Sequence, residues 1–153
     1  MTSTFRPQIT MLPGAAFPHE KLDAWRMAKE LAVSVYQHTA HYPGEERFGL
    51  VNQLRRAAVS VMSNLAEGSG RASYRDQAHF SQLAYGSLLE MDAQLQLSVD
   101  LNYLQLTDYI RLRESTLELA KKISALRSSH MQRANSVSSG VEIGNESRHP
   151  KAT

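Results

Sequence analysis

Cysteine is absent from the 153 residues, which excludes disulfides, thiolate metal sites and thiol nucleophiles. A cysteine-free chain suits a reducing compartment, and a cytoplasmic location is expected. Long apolar runs are missing as well: nothing approaches the ~20 residues that a membrane-spanning helix needs. Met1 to Pro18 lacks the basic start and unbroken apolar block of a secretory signal. No membrane association is therefore expected. Charge of one sign is scarce, since 17 Lys and Arg face 15 Asp and Glu for a net charge of +2. The isoelectric point of about 9.0 inclines the chain only mildly toward anionic partners.

Chemistry-bearing motifs are equally sparse. There is no P-loop, no dinucleotide glycine fingerprint, no His-Glu-x-x-His and no nucleophile elbow. His38 and His41 stand three apart at the end of a helical pattern, but no third ligand lies near them in sequence. The expectation is a protein that is not an enzyme and carries neither metal nor cofactor.

What is present is helical periodicity, with 42% hydrophobic residues, enough for one core. Pro7, Pro13 and Pro18 make residues 1–19 an irregular N-terminal arm. A first helix spans about 20–39, its broad stripe formed by Leu22, Trp25, Ala28, Leu31, Ala32, Val35 and Tyr36. His41-Tyr42-Pro43-Gly44 ends it. A second runs from about Glu45 to Glu67, with both glutamates of its first turn at the positive end of the helix dipole. Leu54, Ala57, Ala58 and Val61 belong to a seam so wide that copies of the chain are expected to cover part of it. Gly68 and Gly70 stop that helix.

Ser73 caps a third helix, with Asp76 in the reciprocal capping-box position and Phe80, Leu83, Ala84, Leu88, Met91, Leu95 and Val99 inside. Gly86 in mid-helix predicts a close crossing. Thr107 caps a fourth helix to about Ser129, with Ile110, Leu117, Ala120, Ile123 and Leu126 inside. Residues 131–153 are polar and expected to be mostly disordered. With no competing strand pattern and short connections, residues 20–130 read as an all-α, up-down-up-down antiparallel four-helix bundle.

Arg55, Arg56, Arg71 and Arg75 are the best basic cluster, joined by Lys121 and Lys122 of the fourth helix. Arginines along a ridge neutralise phosphates and give salt-sensitive binding with little sequence preference. The competing reading pairs Arg55 or Arg56 with Glu90 or Asp92, or with a neighbouring subunit. Asn64, Glu67, Gly68, Gly70, Arg71 and Ser73 gather at the turn between helices two and three. They form either a ligand pocket or partner rim, or a fixed turn in which Asn64 and Arg71 satisfy helix-end carbonyls. Trp25 and the tyrosines are expected as core or interface anchors rather than base-stacking platforms.

Phe48-Gly49-Leu50, Gln53, Arg55-Arg56-Ala57, Ser63-Asn64, Ala66-Glu67-Gly68, Gly70-Arg71, Ser73 and Gly86-Ser87, with Trp25, Lys29 and Tyr103, closely resemble one four-helix-bundle family. Its members were first noticed as open reading frames inside intervening sequences of bacterial 23S rRNA genes, and the likeness runs over roughly residues 20–130. The resemblance implies a ring-like homopentamer; most members have no assigned activity. Related accessory proteins of diversity-generating retroelements are basic pentameric barrels that bind a reverse transcriptase and nucleic acid. A reverse transcriptase is thus an implied partner where the chain belongs to a retroelement, although a net charge of +2 sets it apart from those strongly basic relatives. The expected function is a non-enzymatic oligomeric scaffold that binds RNA or DNA through basic ridges. The alternative is a protein–protein adaptor ring without nucleic-acid activity.

Overall fold

The computed structural model describes Ile9 and residues 13–145, with side chains as far as residue 140. Four helices dominate: α1 (Asp23–Thr39), α2 (Leu50–Ser69), α3 (Tyr74–Asp100) and α4 (Leu106–Asn145). Short 3-10 turns occupy Pro18–Lys21 and Gly44–Glu46, and there is no strand among the described residues. All four helices contribute to one core. Val35, Leu54, Val61, Leu88, Leu95, Leu119 and Ile123 are virtually without solvent exposure there.

Helix ends depart from expectation in several places: α1 begins at Asp23, after a separate 3-10 turn, and Thr107 lies inside α4 rather than capping it. Glu45 and Glu46 do not open α2; they sit in the preceding 3-10 turn, and the helix begins at Leu50. The Glu46 carboxylate reaches back to accept the Leu50 N–H at 2.9 Å, so it satisfies a free helix-start amide from outside the helix. At the other end of the chain, the expected boundary at residue 130 falls within α4, which continues to Asn145. Residues 131–145 are therefore helical rather than disordered. Polar composition denies this segment a core but not its backbone ladder, and Ser136, Ser138 and Ser139 each donate to the carbonyl four residues earlier. Residues 1–8, 10–12 and 146–153, the outer parts of the expected arm and tail, lie outside the described residues.

Periodicity predicts the helices but not always their rotation. Leu83, Ile110 and Leu117 were expected inside, yet they are 42%, 48% and 49% exposed. On α4 the buried stripe is Tyr109, Leu112, Thr116, Leu119 and Ile123. Apolar pairs seven residues apart occur at both 110/117 and 112/119, so the period is clear while the phase is not. Trp25 and Tyr36 likewise lie at the rim of α1 rather than in its core.

The seam of α2 needs no second copy to cover it. Leu54, Ala57, Ala58 and Val61 are 0–4% exposed within one protomer, which corrects the inference drawn from the wide seam. Apolar surface is left open elsewhere, at Leu106, Ile110 and Leu117 of α4 and along α3. On α3, Leu83, Leu89 and Leu97 stand out from one side, with exposed Gly86 and Ala93 between them. Gly86 is not at a close crossing within the protomer, because a Cβ built there meets nothing within 4 Å. Gly68 is: its Cβ would fall 2.7 Å from Cβ of Phe80, on the α3 side of the α2–α3 contact.

The α3–α4 link closes with a left-handed Asn102 (φ 61°). The Tyr103 N–H bonds the Ser98 carbonyl and the Asn102 N–H that of Val99, a Schellman arrangement in which Asn replaces the usual glycine. Tyr103 then packs on Tyr42, their ring centroids 5.6 Å apart. Burial raises the pKa of Tyr42, Tyr103 and Tyr109; the negative charge of Glu46 adds to the shift at Tyr103. Each fold-held phenol thus favours its neutral form. Above about pH 10 the unfolded chain loses phenolic protons that the folded chain keeps. Stability is retained below that pH and falls as pH rises through it. Ultraviolet titration of the native protein is expected to show three of the six tyrosines ionising later than in the denatured chain. Six coincident phenols near pH 10 would contradict these burials.

Candidate nucleic-acid interface

Residues 52, 55, 56, 59 and 60 share one side of α2, because helical neighbours recur at three and four positions. Asn52, Arg55, Arg56, Val59 and Ser60 therefore line one wall of a groove of about 600 Å³, and Tyr36 of α1 supplies the other. Arg47 and Phe48, on the turn before α2, complete its end. Three guanidinium groups thus converge on a single open groove. None of Arg47, Arg55 and Arg56 makes an ion pair with a carboxylate among the described residues.

Each arginine is held differently. Arg55 donates from Nε to Thr39 Oγ1 at 3.0 Å and lies over the Tyr36 ring at 4.5 Å. Its second nitrogen points at the Tyr36 carbonyl, in the last turn of α1, where the helix dipole favours a cation. Arg47 lies over the Phe48 ring at 5.5 Å. Arg56 is exposed along the groove wall. The pairing of Arg55 or Arg56 with Asp92 is not found. Arg113 of α4 takes that carboxylate at 2.8 Å and the Tyr109 hydroxyl at 2.7 Å. Tyr109 and Gln96 donate to the same carboxylate, at 3.2 and 2.8 Å.

The other basic residues singled out do not join this groove. Arg71 lies beyond the far end of α2, whose last residue is already nearly four turns, roughly 21 Å, along the axis from Arg55. There it pairs with Glu67 and covers the Phe80 ring at 4.4 Å. Arg75 is exposed on the first turn of α3, and Lys121 and Lys122 belong to α4. The six cations are therefore dispersed rather than aligned on one ridge.

The α2–α3 turn is occupied by its own fixing contacts. Ser73 Oγ accepts from the Asp76 N–H at 3.1 Å, and Gln77 donates to the Arg71 carbonyl at 2.8 Å. Gly70 caps α2 in a right-handed conformation. Asn64 does not reach a helix-end carbonyl. It donates to the Ser60 carbonyl and hydroxyl, and Ser60 in turn bonds Ser87 of α3 at 2.9 Å. Gly68 serves the close approach to Phe80.

The family model for the 23S rRNA-intervening sequence protein matches residues 20–125, most of the helical body. The chain belongs to this family. Among solved structures, this intervening-sequence protein is similar to one from Bacteroides thetaiotaomicron, a protein of unknown function in the S23 ribosomal protein family. The two are 19% identical with a TM-score of 0.62, over 68% of this chain and 97% of that one. That likeness shows the shared all-helical fold. No match is found among curated proteins.

In this intervening-sequence protein, Tyr36, Arg47, Phe48 and Asn52 are groove residues that periodicity alone passes over. Two signals carry them: a cation–aromatic pair next to the start of a helix, and polar residues repeating at three and four positions after it. Among the described residues, no three His, Asp or Glu side chains gather as metal ligands would. No described helix is long and apolar enough to cross a membrane. Forked donors without carboxylate partners, together with exposed rings, suit an anionic, planar ligand.

Proposed function

We propose that this protein is a non-enzymatic scaffold, assembled from copies of itself as a homopentameric ring, that binds nucleic acid through the α1–α2 groove. RNA is the foremost candidate, and a reverse transcriptase is a further partner where the gene lies in a retroelement. The observation that carries the reading is the convergence of Arg47, Arg55 and Arg56 on one open groove without carboxylates to neutralise them. Phosphates are the complementary ligand, since each guanidinium offers two parallel donors.

Opposed contact order supports the up-down-up-down, antiparallel arrangement. Gly68 meets Phe80 while Ser60, earlier on α2, meets Ser87, later on α3. Self-assembly is supported by the leucines of α3 that face solvent around Gly86 and Ala93. Membership of the intervening-sequence family favours the same assembly.

Labelled RNA titrated at 50 and 200 mM salt, about the range over which phosphate contacts lose most affinity, tests the reading. Wild type is expected to bind at the lower salt and weaken steeply at the higher. The triple variant Arg47→Gln/Arg55→Gln/Arg56→Gln is expected to lose at least tenfold at low salt. Wild-type protein that leaves both RNA and DNA free at low salt contradicts the reading and favours a protein–protein adaptor ring.

A further inference from the structure

Phe48 is 85% exposed, the largest exposure of any described large apolar side chain. It stands at the end of the same groove that Tyr36, itself 45% exposed, lines from α1. Neither ring is needed by the core. Two exposed rings in one groove leave apolar area that a ligand can cover favourably. Each ring already has a guanidinium over it, Arg47 on Phe48 and Arg55 on Tyr36, so charge and ring arrive as a pair at both positions.

We propose that the groove takes single-stranded nucleic acid, with unpaired bases stacking on Phe48 and Tyr36 while Arg47, Arg55 and Arg56 hold the phosphates. The proposal rests on the nucleic-acid reading above and specifies the form of the ligand. A duplex turns its base faces inward and offers its phosphates outward, so it engages the arginines and leaves both rings in water. A single strand presents both features to one groove. Asn52 adds a side-chain donor and acceptor of no fixed base preference, so the site reads strandedness more than sequence. From Asn52 to Ser60 the wall is roughly 12 Å long, which suits a short stretch of single strand.

The test uses the full chain and fluorescence anisotropy with a labelled single strand and the duplex of the same sequence, each as RNA and as DNA. Wild type is expected to bind the single strand at least tenfold tighter than the duplex. Phe48→Leu should weaken the single strand about tenfold and leave the duplex unchanged, whereas Phe48→Trp should restore single-strand binding. Because Phe48→Leu removes no charge, its slope of log affinity against log salt should match wild type, about −2 for three single-strand phosphates. A tenfold preference between the RNA and DNA strands identifies the natural source, and parity means that stacking and phosphate suffice; all fit the proposal. Equal affinity for single strand and duplex, or an unaffected Phe48→Leu variant, overturns it while nucleic-acid binding stands. Failure of every probe to bind at low salt overturns the parent reading instead. A Phe48→Leu variant whose particle mass changes assigns the ring to a contact between copies, and also overturns the proposal.

Discussion

Leu89→Asp combined with Leu97→Asp is expected to reduce the proposed ring to single 17.1 kDa protomers. Both leucines face solvent on α3 in the isolated protomer, at 54% and 48% exposure, so the charges replace no core contact. In an assembly that packs this side of α3 against a neighbour, each aspartate enters an apolar interface without a partner. A buried, unpaired carboxylate costs several kcal/mol, and the cost is repeated at every contact of a ring. Surface substitutions of this kind usually change protomer stability by less than about 0.5 kcal/mol. The helical signal and urea midpoint should therefore persist while light scattering reports a mass near one-fifth of wild type. Unchanged mass would mean that α3 is not the assembly face.

Gly68→Val is expected to destabilise the protomer by about 2–3 kcal/mol, read as a lower urea midpoint. The added Cβ lands 2.7 Å from Cβ of Phe80, an atom fixed to the α3 backbone and unable to rotate away. Helix propensity offsets little of this loss, because Gly68 is the last residue but one of α2. Gly86→Ala supplies the contrast. With nothing within 4 Å of its added methyl, propensity acts alone. In the monomeric Leu89→Asp/Leu97→Asp background it should raise stability by about 0.5–1 kcal/mol. Equal behaviour at the two glycines would show that the α2–α3 crossing is not where the structure places it.

The two glycines also mark where sequence reading succeeds and stops. Periodicity of three and four identifies all four helices, because a side chain's burial depends first on its angle around the helix axis. It does not say which of Gly68 on α2 and Gly86 on α3 meets another helix, since that depends on the partner. Ile110 and Leu117 illustrate the same boundary. They repeat as regularly as Leu112 and Leu119, and only packing against α3 and α1 decides which pair is inside. Polar composition misleads for residues 131–145, because a helix can persist on its backbone ladder with its serines folded back onto it.

At the groove, Arg55 and Arg56 are legible as a cluster, but their companions are not. Arg71 is as basic as Arg47, yet Glu67 and Phe80 already engage it. Arg47 and Phe48 read from sequence as first-turn residues of the second helix, and the structure places them instead on a turn at the mouth of the α1–α2 groove. Asp92 could have neutralised either neighbour; Arg113 takes it because α4 brings a guanidinium and a phenol to the same carboxylate. Competition for partners is thus the information that single-chain periodicity lacks.

Photocrosslinking of the wild-type protein to RNA carrying a thio-substituted base, followed by peptide mapping, addresses the groove most directly. Crosslinks should concentrate on peptides containing Tyr36 and residues 47–60 and diminish in the triple arginine variant. Crosslinks confined to the Lys121–Lys122 side of α4 or to the Arg71–Arg75 turn, with residues 47–60 unmarked, would contradict the assignment.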